Sequence, residues 1–325
     1  MKNLMKKIVL IAFALCFTLV SKAQQDPQFT HFMFDKLSFN PASVGFKDAF
    51  CLTAISRRQW TGFDAGEPNT TLINFTAPKI DLIKGGLGFS YYNDQIGWET
   101  NNVFRLSYAL HLSEVGLQDI GGGNFAVGLS AGYFQKNINA TWVTPDGTPP
   151  GDLAGQDTSL PTSTANEGGF SFNAGLFYQN SNFYAGVSAT NLTQSELKTL
   201  KITGARHYFG MAGYEYQLPG GFTSNFVLKP NVLIKSDGTK TQYDLNLHVL
   251  AFNTFWAGAT YRHNDAIAPM AGVQWKGLRI GYSYGLGTSF LSNYFTNGNH
   301  ELMLNYCFRI IPVPKTEKEV HPYFL

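Results

Sequence analysis

The side chains best suited to proton transfer are His207, His248, His263 and His300, with Ser and Asp scattered around them. Brought together in three dimensions, such groups could make a lipase-like hydrolytic site. No motif supports that chemistry. The chain has no Gly-x-Ser-x-Gly elbow, no His-Glu-x-x-His, and no glycine loop set between strand and helix to cradle phosphate. The stretch 144–168 carries Asp146, Asp152, Asp157 and Glu167 without a Lys or Arg. Its acids invite comparison with calcium loops, but their spacing matches none, and the Pro, Gly, Thr and Ser between them suit a solvated surface loop. The expectation is therefore a protein that is not an enzyme and that holds neither metal nor cofactor.

The elements that position these residues are strands. From Leu278 to Gly287 the residues Leu278, Ile280, Tyr282, Tyr284 and Leu286 fall on one face, and Arg279, Gly281, Ser283, Gly285 and Gly287 on the other. From Glu301 to Ile310 the same period of two sets Leu302, Leu304, Tyr306, Phe308 and Ile310 against Glu301, Met303, Asn305, Cys307 and Arg309. Successive side chains of a strand point to opposite faces, and about ten residues suffice for a tilted strand to cross a bilayer. Composition agrees: aromatics reach 15% while charged residues are 14% of the 325, and the mean hydropathy is −0.10. Only one face of each strand in a membrane β-barrel meets lipid, so such a chain is aromatic-rich yet moderately polar.

Residues 1–23 have the form of a secretory signal, with Lys2, Lys6 and Lys7 before an apolar run Ile8 to Val20 and Ser21-Lys22-Ala23 as the cleavage site. Its removal turns a slight excess of basic over acidic residues (24 against 22) into a slight acidic excess, which argues against a nucleic-acid partner. Residues 24–48 mix aromatics with turn residues and are expected to be ordered, inside a lumen or across its periplasmic mouth. Residues 49–311 form the predicted all-β transmembrane antiparallel barrel. Fourteen strands are expected near 50–60, 70–77, 85–93, 100–112, 123–137, 169–179, 183–190, 205–217, 222–235, 240–251, 255–262, 267–276, 278–287 and 300–310. Pro230 and Pro269 interrupt two of them, where proline favours a bulge or an end. Long connections (138–168, 191–204, 288–299) alternate with shorter ones, among them 218–221, 252–254 and 276–277. That asymmetry predicts external loops and periplasmic turns in the outer membrane, with both termini periplasmic. The tail 312–325 is extended, a mobile end or a contact with periplasmic machinery.

Closing a barrel would pair the first strand with the fourteenth and bring Cys51 and Cys307 near one another. Either a disulfide crosses the seam, as an oxidising periplasm permits, or the two are free buried thiols, favoured by the restrictive geometry of cross-strand bridges. In the last external loop Phe290, Leu291, Tyr294 and Phe295 are apolar where water is expected. They fold over the mouth or form a partner's contact surface, and Trp142 in the longest loop joins them as a candidate contact.

With these residues in place the chain resembles the PorP/SprF family of outer-membrane proteins from Bacteroidetes type IX secretion and gliding systems. The resemblance runs through Gln25-Asp26-Pro27-Gln28-Phe29 with Met33-Phe34 and Asn40-Pro41-Ala42. It continues in Arg57-Arg58-Gln59-Trp60-Thr61-Gly62, in Gly86-Leu87-Gly88 leading to Asp94 and Gly97, in Tyr261-Arg262, in Gly281-Tyr282-Ser283-Tyr284, and in His300-Glu301 with Asn305-Tyr306. Arg57, Gln59, Trp60, Asp94, Gly97, Arg262, Tyr282 and Glu301 are its structural residues here. Gly285 stands where the family often has Asp, and Tyr323 where Arg is frequent. The resemblance implies a non-enzymatic barrel that helps a large adhesin or other cargo reach and stay on the cell surface by holding its C-terminal domain. Its partners would be outer-membrane lipid, that domain and periplasmic type IX components. A porin or channel for small solutes is the alternative.

Overall fold

The alternation is obeyed by fourteen antiparallel strands that close on themselves. The computed structural model describes residues 28–62, 66–116, 122–139, 164–200, 202–288 and 298–310. The strands are β1 (Phe50–Arg58), β2 (Asn69–Thr76), β3 (Gly85–Ile96), β4 (Glu99–His111), β5 (Asn124–Ile138), β6 (Ala165–Gln179) and β7 (Phe183–Thr190). They continue as β8 (His207–Tyr214, resumed at Tyr216–Gln217), β9 (Phe226–Ser236), β10 (Thr241–Ala251), β11 (Phe255–Arg262), β12 (Ala266–Trp275), β13 (Leu278–Gly287) and β14 (Asn299–Phe308). Closure comes from β14 pairing with β1 in the register Phe50↔Phe308 to Arg58↔His300. Among the described residues no helix is long and apolar enough to cross a membrane; the strands do so.

The prolines leave visible marks. Pro230 and Pro269 both point outward, and each lacks the N–H that a ladder needs. The β8–β9 ladder breaks where Tyr214 would face Pro230, which is why β8 pauses at Glu215. The β12–β13 ladder likewise skips Ala268 and Pro269.

The outer face is an apolar band, with Leu106 and Leu129 more than 60% exposed and Leu245, Leu247 and Leu302 close behind. Aromatic rings flank it on both sides. Phe50 stacks between Phe75 and Phe308 at one rim. Tyr133 and Phe170 meet edge to face toward the other, the rim also marked by Tyr208, Tyr243 and Tyr261. Such girdles sit where a membrane meets water.

The two mouths differ. The strands that flank 59–68, 139–164, 191–206 and 288–298 end at the loop mouth; the turn mouth holds Phe50, Phe308 and turns such as 180–182, 252–254 and 276–277. Residues 28–48 do not lie across the turn mouth. They run down the lumen from Gln28, beside Arg57 and Gln242 at the loop mouth, to Phe50 at the turn mouth. The described chain thus enters at one mouth, while β14 ends at the other. An ordered lumen segment must cross the full height of the barrel before β1 begins. The two termini, expected on the periplasmic side, fall outside the described residues. Residues 1–27 and 311–325 lie outside the described residues, as do Trp142, Phe290, Leu291, Tyr294 and Phe295.

Apolar packing fixes the lumen segment. Phe29, Phe32, Met33, Phe39 and Ala42 pack against the wall residues Ile55, Leu72, Phe177, Phe209, Leu233, Trp256 and Met303 in one buried cluster. Each large side chain so buried is worth about 1.5–3 kcal/mol. The wall admits the backbone through glycines: a Cβ on Gly128 would collide with the backbone of Ala42, and one on Gly86 with that of Gly45.

Cys51 and Cys307 face each other across the seam and are joined by a disulfide, with 4.1 Å between their Cα atoms. They are not free thiols. The bond ties the first strand to the last, a closure at the longest range available to this barrel. Replacing both with Ser is expected to lower stability by about 2–4 kcal/mol. The gel-shift midpoint of the unboiled barrel in a urea series measures this; an unchanged midpoint would show that the seam ladder suffices.

Candidate functional site

The lumen segment is held at the loop mouth by one buried carboxylate. Glu301, at the start of β14, is 2% exposed. It accepts hydrogen bonds from the backbone N–H groups of Thr30 and His31, each at 2.8 Å, and faces His31 Nδ1 at 2.7 Å. Those two N–H groups open a turn in which Phe34 N–H donates to the His31 carbonyl, so the carboxylate caps first N–H groups that have no acceptor within the turn. Arg57 stands directly opposite on β1, 3.9 Å from Glu301, and donates to the Gln28 carbonyl.

A second charged group extends this anchor. Asp244 on β10 receives Arg262 Nε at 3.2 Å and Lys235 Nζ at 2.8 Å; Arg262 also reaches Asp265 and the Phe29 carbonyl. Thr260 Oγ1 donates to the Thr30 carbonyl. The carbonyls of Gln28, Phe29 and Thr30 and the N–H groups of Thr30 and His31 are thus engaged by side chains from β1, β11 and β14. Lower down, Asn40 Nδ2 donates to the carbonyls of Leu176 and Val187, while its Oδ1 caps the short turn Pro41–Ser43. Ser188 donates to the Phe39 carbonyl, Asn74 to Asp35, and the His111 Nε2 lies 2.8 Å from the Val44 carbonyl.

Above the anchor the lumen opens into a vestibule at the loop mouth. One cavity of about 390 Å³ is lined by Asp94, Glu99, Arg105, Phe134, Lys136, Leu197 and His207 among others. A second of the same size lies beside Gln28, between Lys235, Lys240, His207 and His263. The loop 191–206 roofs the first. Its Leu192 N–H, Thr193 and Ser195 hydroxyls reach carbonyls of Phe172 and Phe170, because β6 extends past the end of its pairing with β7.

The structure sorts the sequence-derived residues. Arg57, Arg262 and Glu301 converge on the lumen segment. Asp94 accepts from Thr70 in the vestibule wall. Gln59 N–H donates to the Pro68 carbonyl, and Trp60, in a left-handed conformation, takes Asn299 Oδ1 on its N–H. Gly97 has a positive φ in the β3–β4 turn, and Tyr282 faces outward with its hydroxyl 2.6 Å from His300 Nδ1. The four histidines do not assemble: His207 and His263 share the second cavity, His248 lies at the turn mouth against Phe34 and Trp256, and His300 is on the outer wall. Sequence reasoning met Asn40 only as part of a motif and passed over His31, Lys235 and Asp244. The signal for the last was its place on a lumen face, where an unpaired carboxylate would be costly.

Fold and site together define a class: a β-barrel of the outer-membrane type whose lumen is filled by its own N-terminal segment. The profile described as type IX secretion system membrane protein PorP/SprF matches residues 21–306, and the chain belongs to that family. No curated protein sequence matches it. Among solved structures it is similar to CdiB from Acinetobacter baumannii, at 9% identity and a TM-score of 0.38 over 80% of this chain, and it spans 60% of that longer protein. It is also similar to the KdgM porin in complex with disordered oligogalacturonate, at 8% identity, TM-score 0.36 and coverage of 80% and 99%. A third is the TodX deltaS2S3 mutant monoaromatic hydrocarbon channel, at 9% identity, TM-score 0.42 and coverage of 83% and 92%.

Breaking a buried charged group by removing one partner typically costs about 3–5 kcal/mol. Glu301→Ala is expected to lose that much, concentrated in the lumen segment. Hydrogen–deuterium exchange at residues 28–35 should then rise well before the strands open; uniform loosening would show that Glu301 serves only the seam.

Proposed function

We propose that this chain is a non-enzymatic component of type IX secretion, seated in the outer membrane with its loop mouth outside. There it receives and retains the C-terminal domain of a secreted surface protein such as an adhesin. One observation carries the reading: residues 28–48 fill the lumen from end to end, while the larger open space is a vestibule at the loop mouth. A barrel sealed along its axis, with its wider opening at one rim, is suited to holding a partner on one side of a membrane. Membership of the type IX family supports the process, and the contrast between long loops and short turns favours the orientation. The vestibule offers both a half-apolar wall, with Phe134 and Leu197, and charged groups, with Asp94, Arg105 and Lys136. That mixture suits a folded protein domain better than a small ion.

The alternative, a diffusion porin, requires a continuous aqueous path. The intact barrel is expected to show no steady conductance in planar bilayers, and Gly128→Val, which pushes Ala42 off the wall, to produce one. An intact barrel that conducts steadily would overturn the filled lumen as the functional state. Gentle detergent extraction from the native outer membrane, followed by mass spectrometry, should recover a secreted surface protein bound to the barrel.

The orientation has its own test. An epitope placed immediately before Gln28 should be stained on intact cells, together with one in the 237–240 turn and unlike one in the 252–254 turn. Staining of the 237–240 epitope alone would sink the direction of the lumen segment; staining at 252–254 alone would invert the barrel.

A further inference from the structure

The turn mouth holds a second open space, about 230 Å³, between the lower part of the lumen segment and the ends of β1, β8, β9 and β13. Four cations line it: Lys36 and Lys47 from the lumen segment, Lys229 from β9 and Arg279 from β13. Two carboxylates face them, and both are engaged. Glu215 pairs with Lys229 at 2.8 Å, and Asp35 receives the Ser38 hydroxyl and the Asn74 amide, each at 2.5 Å.

Among the described residues, Lys36, Lys47 and Arg279 meet no carboxylate. Lys36 Nζ sits 3.6 Å from the centre of the Tyr184 ring and 3.5 Å from Gln179 Oε1. Arg279 stacks over Phe34 at 4.7 Å and donates to Gln274 Oε1. Lys47 has the Cys307 sulfur at 3.9 Å. Rings and amides fix where these cations point without neutralising them. They are also near enough to repel: Lys36 feels Lys47, Lys229 and Arg279, and Lys47 feels Arg279, while Glu215 draws Lys36 and Arg279 and Asp35 draws Lys47 without pairing with them. Three like charges held in one cavity, each oriented by an uncharged neighbour, form a site that an anion would complete.

We infer that this cavity binds a carboxylate-bearing segment of a periplasmic protein. Lys36, Lys47 and Arg279 supply the charge, and Phe34, Phe46 and Tyr184 supply an apolar rim around it. The position excludes a lipid headgroup as the occupant, because the cations face the lumen while the bilayer touches only the outer wall. A peptide can enter where a membrane lipid cannot. The two mouths then have separate tasks, a vestibule for cargo and an acidic-peptide socket for the machinery below. That the socket faces the periplasm rests on the orientation proposed above; the binding itself does not, so either can fail alone.

The test uses the full-length barrel in detergent and a fluorescein-labelled hexaglutamate peptide, read by fluorescence anisotropy at fixed ionic strength. The wild-type barrel is expected to bind it, and the triple variant Lys36→Gln, Lys47→Gln, Arg279→Gln to bind at least tenfold more weakly. Its unboiled gel shift confirms that it still folds. Lys84→Gln with Lys276→Gln, at turns on the same rim but outside the cavity, should bind like the wild type. Equal binding by the triple variant, or equal loss in the two rim lysines, overturns the proposal. So does binding of tripolyphosphate without hexaglutamate, which would make this a phosphate site. A chain ending after Ile310 that binds the peptide at least tenfold more tightly than the full chain would assign the cavity to the chain's own tail.

Discussion

The contact between Glu301 and the backbone of Thr30 and His31 is the constraint on which the rest depends. A carboxylate buried in a barrel wall has lost its water, and it is tolerable only when its lone pairs are fully used. Here the donors are two backbone N–H groups and an imidazole from a segment more than 250 residues away in sequence. Pinning residues 30 and 31 at the loop mouth decides the direction of the segment through the lumen. It also decides which wall positions must be glycine and where empty space remains. Both mouths inherit their character from that choice.

The barrel solves two solvent problems at once. Its outer face meets lipid and is covered by Leu, Ile, Val and aromatic side chains. Its inner face must bury Asn, Ser, Arg, Asp and His, which a dry apolar core would not accept. The lumen segment answers with a matched mixture: Phe29, Phe32, Met33 and Phe39 meet the apolar patches of the wall, and its carbonyls and N–H groups meet the polar ones. The result is a protein core distributed along a cylinder, with the wall as one layer and the segment as the other. Each rim is therefore backed by packed chain rather than by a water column.

Much of this was legible in the residues. The fourteen strands appear within a few positions of where alternation puts them, because lipid on one side and packed protein on the other impose a strict period of two. The facing positions of Cys51 and Cys307 follow from closure of a fourteen-strand barrel, and Glu301, Arg57 and Arg262 stood out as motif residues. The direction of residues 28–48 was not legible. Phe29, Phe32, Phe34 and Phe39 announce burial without naming a wall, and nothing local pairs Thr30 with a carboxylate at 301. Asn40 shows the same gap: its role is to reach two carbonyls on β6 and β7 that exist together only once the sheet is closed.

The sequence by itself determined the architecture, since β-barrel strands are written residue by residue in which side chains tolerate lipid. Tertiary structure alone decided what fills the barrel and which mouth stays open. Those outcomes depend on contacts between positions hundreds of residues apart, where a buried charge selects its partner by geometry rather than by spacing along the chain.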